Sequence, residues 1–181
     1  ASNDNKVLYD FFQTGTYDKN REFVLTTSPS MDILISSNLE RLIYLICGED
    51  SEKTKELMEE LKTTGKYTIT PEMKEKLADF AAGYSTEEET AESIHDTYQK
   101  TGYVMDTHTA VAAHVCGQYR AKSGDQTKCV IASTASPYKF VKSVMSAIDA
   151  ENENADEFDL LPKLQEVSGV PMPQAIKDIL D

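Results

Sequence analysis

Thr134 and Ser136 flank Ala135 in the run Ser133-Thr134-Ala135-Ser136-Pro137, directly after the apolar stretch Cys129-Val130-Ile131-Ala132. In open α/β sheets ligands bind beyond the carboxyl ends of strands, and hydroxyls placed there beside a helix N-terminus can meet polar or anionic ligand atoms. The same residues can also do less. Ser136 before a proline is a good N-cap, and Thr134 can simply end a strand. Histidine offers no comparable pattern: His108 and His114 are six apart, on different faces of one helix, and His95 is remote. Neither HxxxH nor HExxH occurs, so no metal site is expected. Cys47, Cys116 and Cys129 have no CxxC spacing, and Cys116 among apolar neighbours reads as packing rather than as a nucleophile. Three thiols without a framework suit a reducing, cytoplasmic setting. The glycines are isolated and stand mostly where helices end, so no phosphate-cradling glycine loop is expected. No Ser-His-Asp order can be defended.

The elements that must hold these residues follow from periodicity. Residues 128–133 are an unbroken β-favouring run of the kind buried on both faces in parallel sheets. Ser136-Pro137 then opens a helix whose apolar face is Phe140, Val141, Val144, Met145 and Ile148. Strand, tight turn and helix in that order make half of a parallel α/β unit. Asp106-Thr107-His108-Thr109 starts another helix, rich in small apolar residues. Near the start, Val7, Leu8, Phe11 and Phe12 predict a short helix that Asp4 or Asn5 can cap and Gly15 closes. Residues 22–26 read as a short strand. Leu39, Leu42, Ile43, Ile46 and Cys47 predict the strongest helix, stopped by Gly48.

Residues 49–100 read as a helical insertion without visible chemistry. Its expected signals are a helix ending at Gly65, a Thr70-Pro71 start feeding Met73, Leu77, Phe80 and Ala81, and capping-box spacing from Ser85 to Glu88. The tail after Asp149 is acidic and punctuated by Pro162, Pro171 and Pro173.

The chain has 181 residues and a net charge of −13. That acidity argues against nucleic-acid binding by phosphate neutralisation and against attachment to anionic lipid. No apolar run is long enough to span a membrane, and no secretory signal opens the sequence. Residues 101–148 are the exception to the acidity, with two acids and five bases. A neutral-to-positive centre in an acidic coat suits an anionic small molecule, although acidic solvated helix faces alone would produce the same pattern.

Several blocks, taken in order, resemble one family. Ser28-Pro29-Ser30-Met31-Asp32-Ile33 with Ser36-Ser37-Asn38-Leu39-Glu40-Arg41-Leu42 is similar to the signature stretch of threonine synthase. Gly102-Tyr103 with Asp106-Thr107-His108-Thr109-Ala110-Val111-Ala112 resembles that family's Gly-Tyr and Asp-Pro-His-Thr-Ala-Val-Ala. Thr134-Ala135-Ser136-Pro137-Tyr138-Lys139-Phe140 resembles its Thr-Ala-His-Pro-x-Lys-Phe. The opening Ala-Ser-Asn-Asp-Asn and Leu161-Pro162-Lys163 also fit. Two positions depart: Thr107 stands for Pro, and Ser136 for His, so no role of that imidazole carries over.

The resemblance implies an α/β fold: the C-terminal part of a pyridoxal-phosphate (PLP) enzyme of the tryptophan synthase β-like class (fold type II), with few parallel strands. Residues 1–48 would belong to the cofactor-binding α/β domain, 49–100 to a mainly helical insertion, 101–148 to a strand-helix unit of the same domain and 149–181 to a C-terminal helical tail. The implied reaction is O-phospho-L-homoserine plus water to L-threonine plus phosphate, with PLP as electron sink. By resemblance Thr134 is the hydroxyl that meets the cofactor's pyridine nitrogen. Asn3, Ser30, Asp32 and His108 are candidates for the substrate side, although His108 reads more readily as a satisfied helix-start histidine. Arg21 and Arg41 could serve the substrate phosphate or a solvated surface. The family's Schiff-base lysine and phosphate loop lie upstream of these blocks. The chain, which begins at Ala1, is therefore expected to be a piece of the enzyme, silent alone, with the N-terminal remainder as partner and no cofactor of its own. A dehydratase-like PLP enzyme and a non-catalytic helical interaction module are the competing readings.

Overall fold

Helix ends in this chain follow local signals, whereas strands depend on partners. A computed structural model describes residues 1–180, and the chain divides into two compact units, Ala1–Tyr84 and Ser85–Asp181. The boundary falls inside the stretch 49–100.

In the first unit, helix α1 (Val7–Thr14) turns its apolar stripe inward and ends at Gly15, whose φ of 78° lies in the left-handed region that glycine tolerates. The expected caps are not used: Lys6 holds the N-cap position at φ 38° with no side-chain cap. Strand β1 (Thr16–Asp18) follows, then a 3₁₀ turn at Pro29–Met31 and helix α2 (Leu39–Ile46), which buries Leu39, Ile43 and Ile46 as the spacing predicts. Helix α3 (Ser51–Thr64) is capped by Asp50 and closed by Gly65. Strand β2 (Lys66–Thr68) pairs antiparallel with β1, Tyr17 opposite Tyr67. Helix α4 (Pro71–Glu75) starts on the Thr70 cap. It is shorter than its apolar pattern suggests: Met73 and Leu77 are buried, but Phe80 lies past the helix and is half exposed.

The core of this unit is aromatic at its centre. Tyr17 and Tyr67 stack at 5.5 Å between ring centroids, and Phe11 lies 6.1 Å from each. The Tyr17 hydroxyl donates to Leu34 O at 3.0 Å and accepts from Ser36 N at 2.8 Å, so the buried phenol is satisfied. Burial raises the pKa of both tyrosines.

In the second unit, helix α5 (Glu87–Thr101) begins with a capping box, one residue later than expected, formed by Thr86 and Glu89. Helix α6 (Thr107–Ser123), a 3₁₀ turn at Pro137–Phe140 and helix α7 (Val141–Ile148) follow. Helices α8 (Glu157–Ser168) and α9 (Gln174–Leu180) complete it. Pro162 sits inside α8 instead of breaking it. The helix loses one backbone bond there, and the burial of Leu160, Leu161 and Leu164 holds the segment together. The core gathers these leucines with Ile94, Val104, Ala110, Val141, Val144 and Met145.

Both expected strands are corrected. Among the described residues the one sheet is the β1–β2 pair, with a single parallel bridge from Ser2 to Tyr84. Residues 22–26 and 128–133 are irregular, and Leu25 and Val130 are 81% and 88% exposed. A strand's N–H and C=O groups need a neighbouring ladder, and none stands beside either segment among the described residues. At Val24 the Asn5 side chain substitutes for it: Val24 N donates to Asn5 Oδ1 at 3.0 Å, and Asn5 Nδ2 donates to Val24 O at 2.8 Å.

Candidate functional site

Gly102 exits α5 at φ 72°, and the buried pair Val104 and Met105 then aims Asp106 at the start of α6. Asp106 is 1% exposed. Its Oδ1 accepts from His108 N at 2.9 Å and from Thr109 N at 3.3 Å, satisfying two of the helix's first amides. The Thr109 hydroxyl donates to Asp106 Oδ2. Thr109 Oγ1 also lies 2.9 Å from Ser133 Oγ; with its one proton on the carboxylate side, it accepts from Ser133. Asp106, Thr109 and Ser133 thus form a relay from a buried helix cap to the exposed segment that carries Thr134.

His108 sits beside this relay. Its Nδ1 lies 3.2 Å from Asp106 Oδ1, and its ring packs at 4.8 Å from Phe140. Thr134 is exposed, two residues before Ser136, which caps the next turn by accepting from Tyr138 N at 3.3 Å. Ser136 also lines a crevice of about 370 Å³ with Tyr138, Lys139, Phe158 and Leu161. His108 and the turn at Thr134 are therefore linked through Asp106 and Thr109. The Asp-x-x-Thr spacing at 106–109 signals the cap, but the contact to Ser133, 24 residues on, has no local sign.

In the first unit, Asn3 and Asp32 meet directly. Asn3 Nδ2 lies 2.7 Å from Asp32 Oδ1 and 2.9 Å from Thr26 Oγ1, with Asn3 itself 1% exposed. Asp32 Oδ1 further accepts from Thr26 Oγ1 at 2.7 Å and Asn5 Nδ2 at 3.2 Å, while Asp32 Oδ2 accepts from Thr26 N at 3.0 Å. Asn5, Thr26 and Ser28 complete a cluster that spacing alone does not reveal. Ser30 is exposed on the 3₁₀ turn between Ser28 and Asp32.

The two arginines have different surroundings. Arg21 pairs with Asp10 at 2.6 Å and donates to Asp18 O at 2.9 Å. Arg41 lines a groove of about 850 Å³ between α2 and α3 with Tyr44, Leu45, Met58 and Lys62. No group of three or more His, Cys, Asp and Glu side chains fit to hold a metal occurs among the described residues. No described helix is long and apolar enough to cross a membrane.

Residues 109–180 match the family model described as threonine synthase, C-terminal. Threonine synthase-like 1 of Macaca fascicularis is 37% identical over 173 residues, which cover 94% of this chain and 23% of that protein. The crystal structure of threonine synthase from yeast is similar with a TM-score of 0.79 at 33% identity, over 94% of this chain and 37% of its own. The PLP-bound threonine synthase from Brucella melitensis gives 0.75 at 39% identity, over 81% and 31%. The chain spans about a quarter to a third of the length of the curated relatives it matches.

Proposed function

The chain is homologous to the C-terminal region of threonine synthase, and we propose that it forms one wall of a cytoplasmic, PLP-dependent active site that converts O-phospho-L-homoserine and water to L-threonine and phosphate. The observation that carries this reading is the relay from Asp106 through Thr109 to Ser133, which anchors the residue before the exposed Thr134. When bound, PLP supplies an electron sink for chemistry at the substrate's carbons.

The residues at the turn fit such a group. Thr134 is exposed, and its neighbours Ser133 and Ser136 are hydroxyls rather than carboxylates. A hydroxyl offers the pyridine nitrogen a neutral hydrogen-bond partner and leaves ring protonation adjustable. Asp106 lies within 3.2 Å of the His108 ring, which also packs against Phe140 in a tilted contact. Within the first unit, Asn3 and Asp32 brace the turn that carries the exposed Ser30, which is the substrate-side candidate there. Ser136 acts as a helix cap and takes no imidazole-like part.

In this reading residues 128–133 gain strand partners from the N-terminal remainder of the enzyme, giving the α/β, fold-type-II arrangement. The Schiff-base lysine and the phosphate cradle also come from that remainder. The chain alone then develops no lysine-dependent absorption with PLP. Joined to the N-terminal portion of a threonine synthase such as the yeast relative, it releases phosphate from O-phosphohomoserine. A joined protein that holds PLP yet releases no phosphate refutes this reading and favours a non-catalytic helical module or a dehydratase-like relative.

A further inference from the structure

Helix α6 carries a second row of contacts beyond its cap. Thr109, Cys116, Tyr119 and Arg120 stand at i, i+7, i+10 and i+11, which places them on one face. Gly124, at φ 71°, ends the helix in the left-handed conformation, and the chain then returns along that face. Tyr119 Oη donates to Asp125 Oδ2 at 3.1 Å, and an Arg120 Nη donates to Thr127 O at 2.8 Å. Further along the same face, Thr109 meets Ser133 at 2.9 Å. From the Arg120–Thr127 contact to the Thr109–Ser133 contact, the helix residue number falls while the partner number rises. That is an antiparallel register of helix and returning segment, in which the two cysteines fall opposite one another by construction. Cys129 is exposed and Cys116 half-buried, while Cys47 faces Met73 Sδ at 4.0 Å instead of a thiol.

We propose that Cys116 and Cys129 are a redox-modifiable pair which a small-molecule disulfide, such as oxidised glutathione, converts to an intrachain disulfide, fastening the segment that carries Thr134 to helix α6. The exposed Cys129 thiolate attacks one sulfur of the oxidant; the oxidant's S–S bond breaks and one small thiolate leaves. Cys116 then gives its proton to solvent and attacks the Cys129 sulfur, expelling the second small thiol. The protein loses two protons and two electrons, and the oxidant is reduced to two thiols. Cys129 is exposed and Cys116 half-buried, so Cys129 is the entry point and Cys116 the resolving thiol; the neighbouring Cys129 and burial raise the Cys116 thiol in the same sense. The crosslink stands on helix geometry alone. Only its consequence for the active site rests on the assignment of Thr134.

The test is peptide mapping of the full reduced chain after incubation with oxidised glutathione, digested with trypsin without reductant. Arg120, Lys122 and Lys128 separate the two cysteines, so a disulfide joins two tryptic peptides. The expected product links the Cys116 and Cys129 peptides, disappears on reduction, and does not form in urea. In Cys116→Ser the glutathione adduct persists on Cys129, and in Cys129→Ser modification of Cys116 slows by ~10-fold or more. A persistent adduct on Cys129 in the unsubstituted chain, a crosslink to Cys47, or equal yield in urea would overturn the proposal. None of these results depends on catalysis.

Discussion

The cluster around Asn3 and Asp32 and the relay from Asp106 to Ser133 are made from the same materials, a carboxylate collecting nearby amide and hydroxyl donors, but they end differently. The first closes on itself: Asn3 and Ser28 are buried, and the Asp32 oxygens take donors from Asn3, Asn5 and Thr26. The second begins at a buried cap and runs out to an exposed segment at Ser133 and Thr134. A polar cluster that satisfies all its own groups holds the fold, because each buried group left unpaired costs free energy. One that stops at the surface leaves Thr134 open to solvent, as its proposed assignment requires. Substitutions in the two should therefore separate stability from function.

Asn3→Ala strips the first cluster of its central amide and leaves Asp32 and Thr26 short of a donor. A loss of about 3 kcal/mol is expected, read as a lower urea midpoint. A loss below about 0.5 kcal/mol would mean that water replaces the amide and that the cluster is open after all. Asp106→Ala removes a helix cap and the Thr109 partner, with an expected cost of about 2 kcal/mol; Asp106→Asn, which can still accept at the cap, should cost less than half as much. Equal losses would show that the charge at Asp106, rather than capping, is what matters.

Glu89 gives a smaller, pH-dependent effect. The Thr86 backbone amide holds its carboxyl below the ordinary carboxylate value of 4.5. Its contribution is therefore complete above 4.5 and disappears as pH falls through the lower folded-state value. Because the Glu89 side chain is 37% exposed, solvent screening limits the effect to under about 0.5 kcal/mol. The difference in melting temperature between the natural chain and Glu89→Gln should shrink between pH 6 and the acid limb, and a difference that grows would reverse the sign. Thr134→Val should change stability least, by no more than about 0.5 kcal/mol, since the side chain is exposed.

The sequence shows features that a few consecutive residues decide. Thr70-Pro71 starts α4, and Gly15, Gly65 and Gly102 end helices, because capping and left-handed exits are settled within one turn. The capping box slipped by one residue because Ser85–Glu88 and Thr86–Glu89 share the same spacing. Ser85 is unavailable: its hydroxyl is buried, 2.9 Å from Thr90 Oγ1. The β1–β2 pair was not visible, since three-residue strands almost fifty residues apart leave no periodic trace. The run at 128–133 has strand composition without a ladder, which composition cannot reveal. The candidate site divides the same way: the Asp106 cap is local, whereas its link to Ser133 belongs to the tertiary structure.

Phosphate release from O-phosphohomoserine, measured for Thr134→Val and Thr134→Ser in the chain joined to a threonine synthase N-terminal portion, tests the central assignment most directly. A hydroxyl that serves the cofactor's ring predicts a fall in kcat of ~100-fold for Val, near-full recovery for Ser and unchanged melting temperatures for both. Turnover that stays level in the Val variant, or falls only in step with melting temperature, would contradict it.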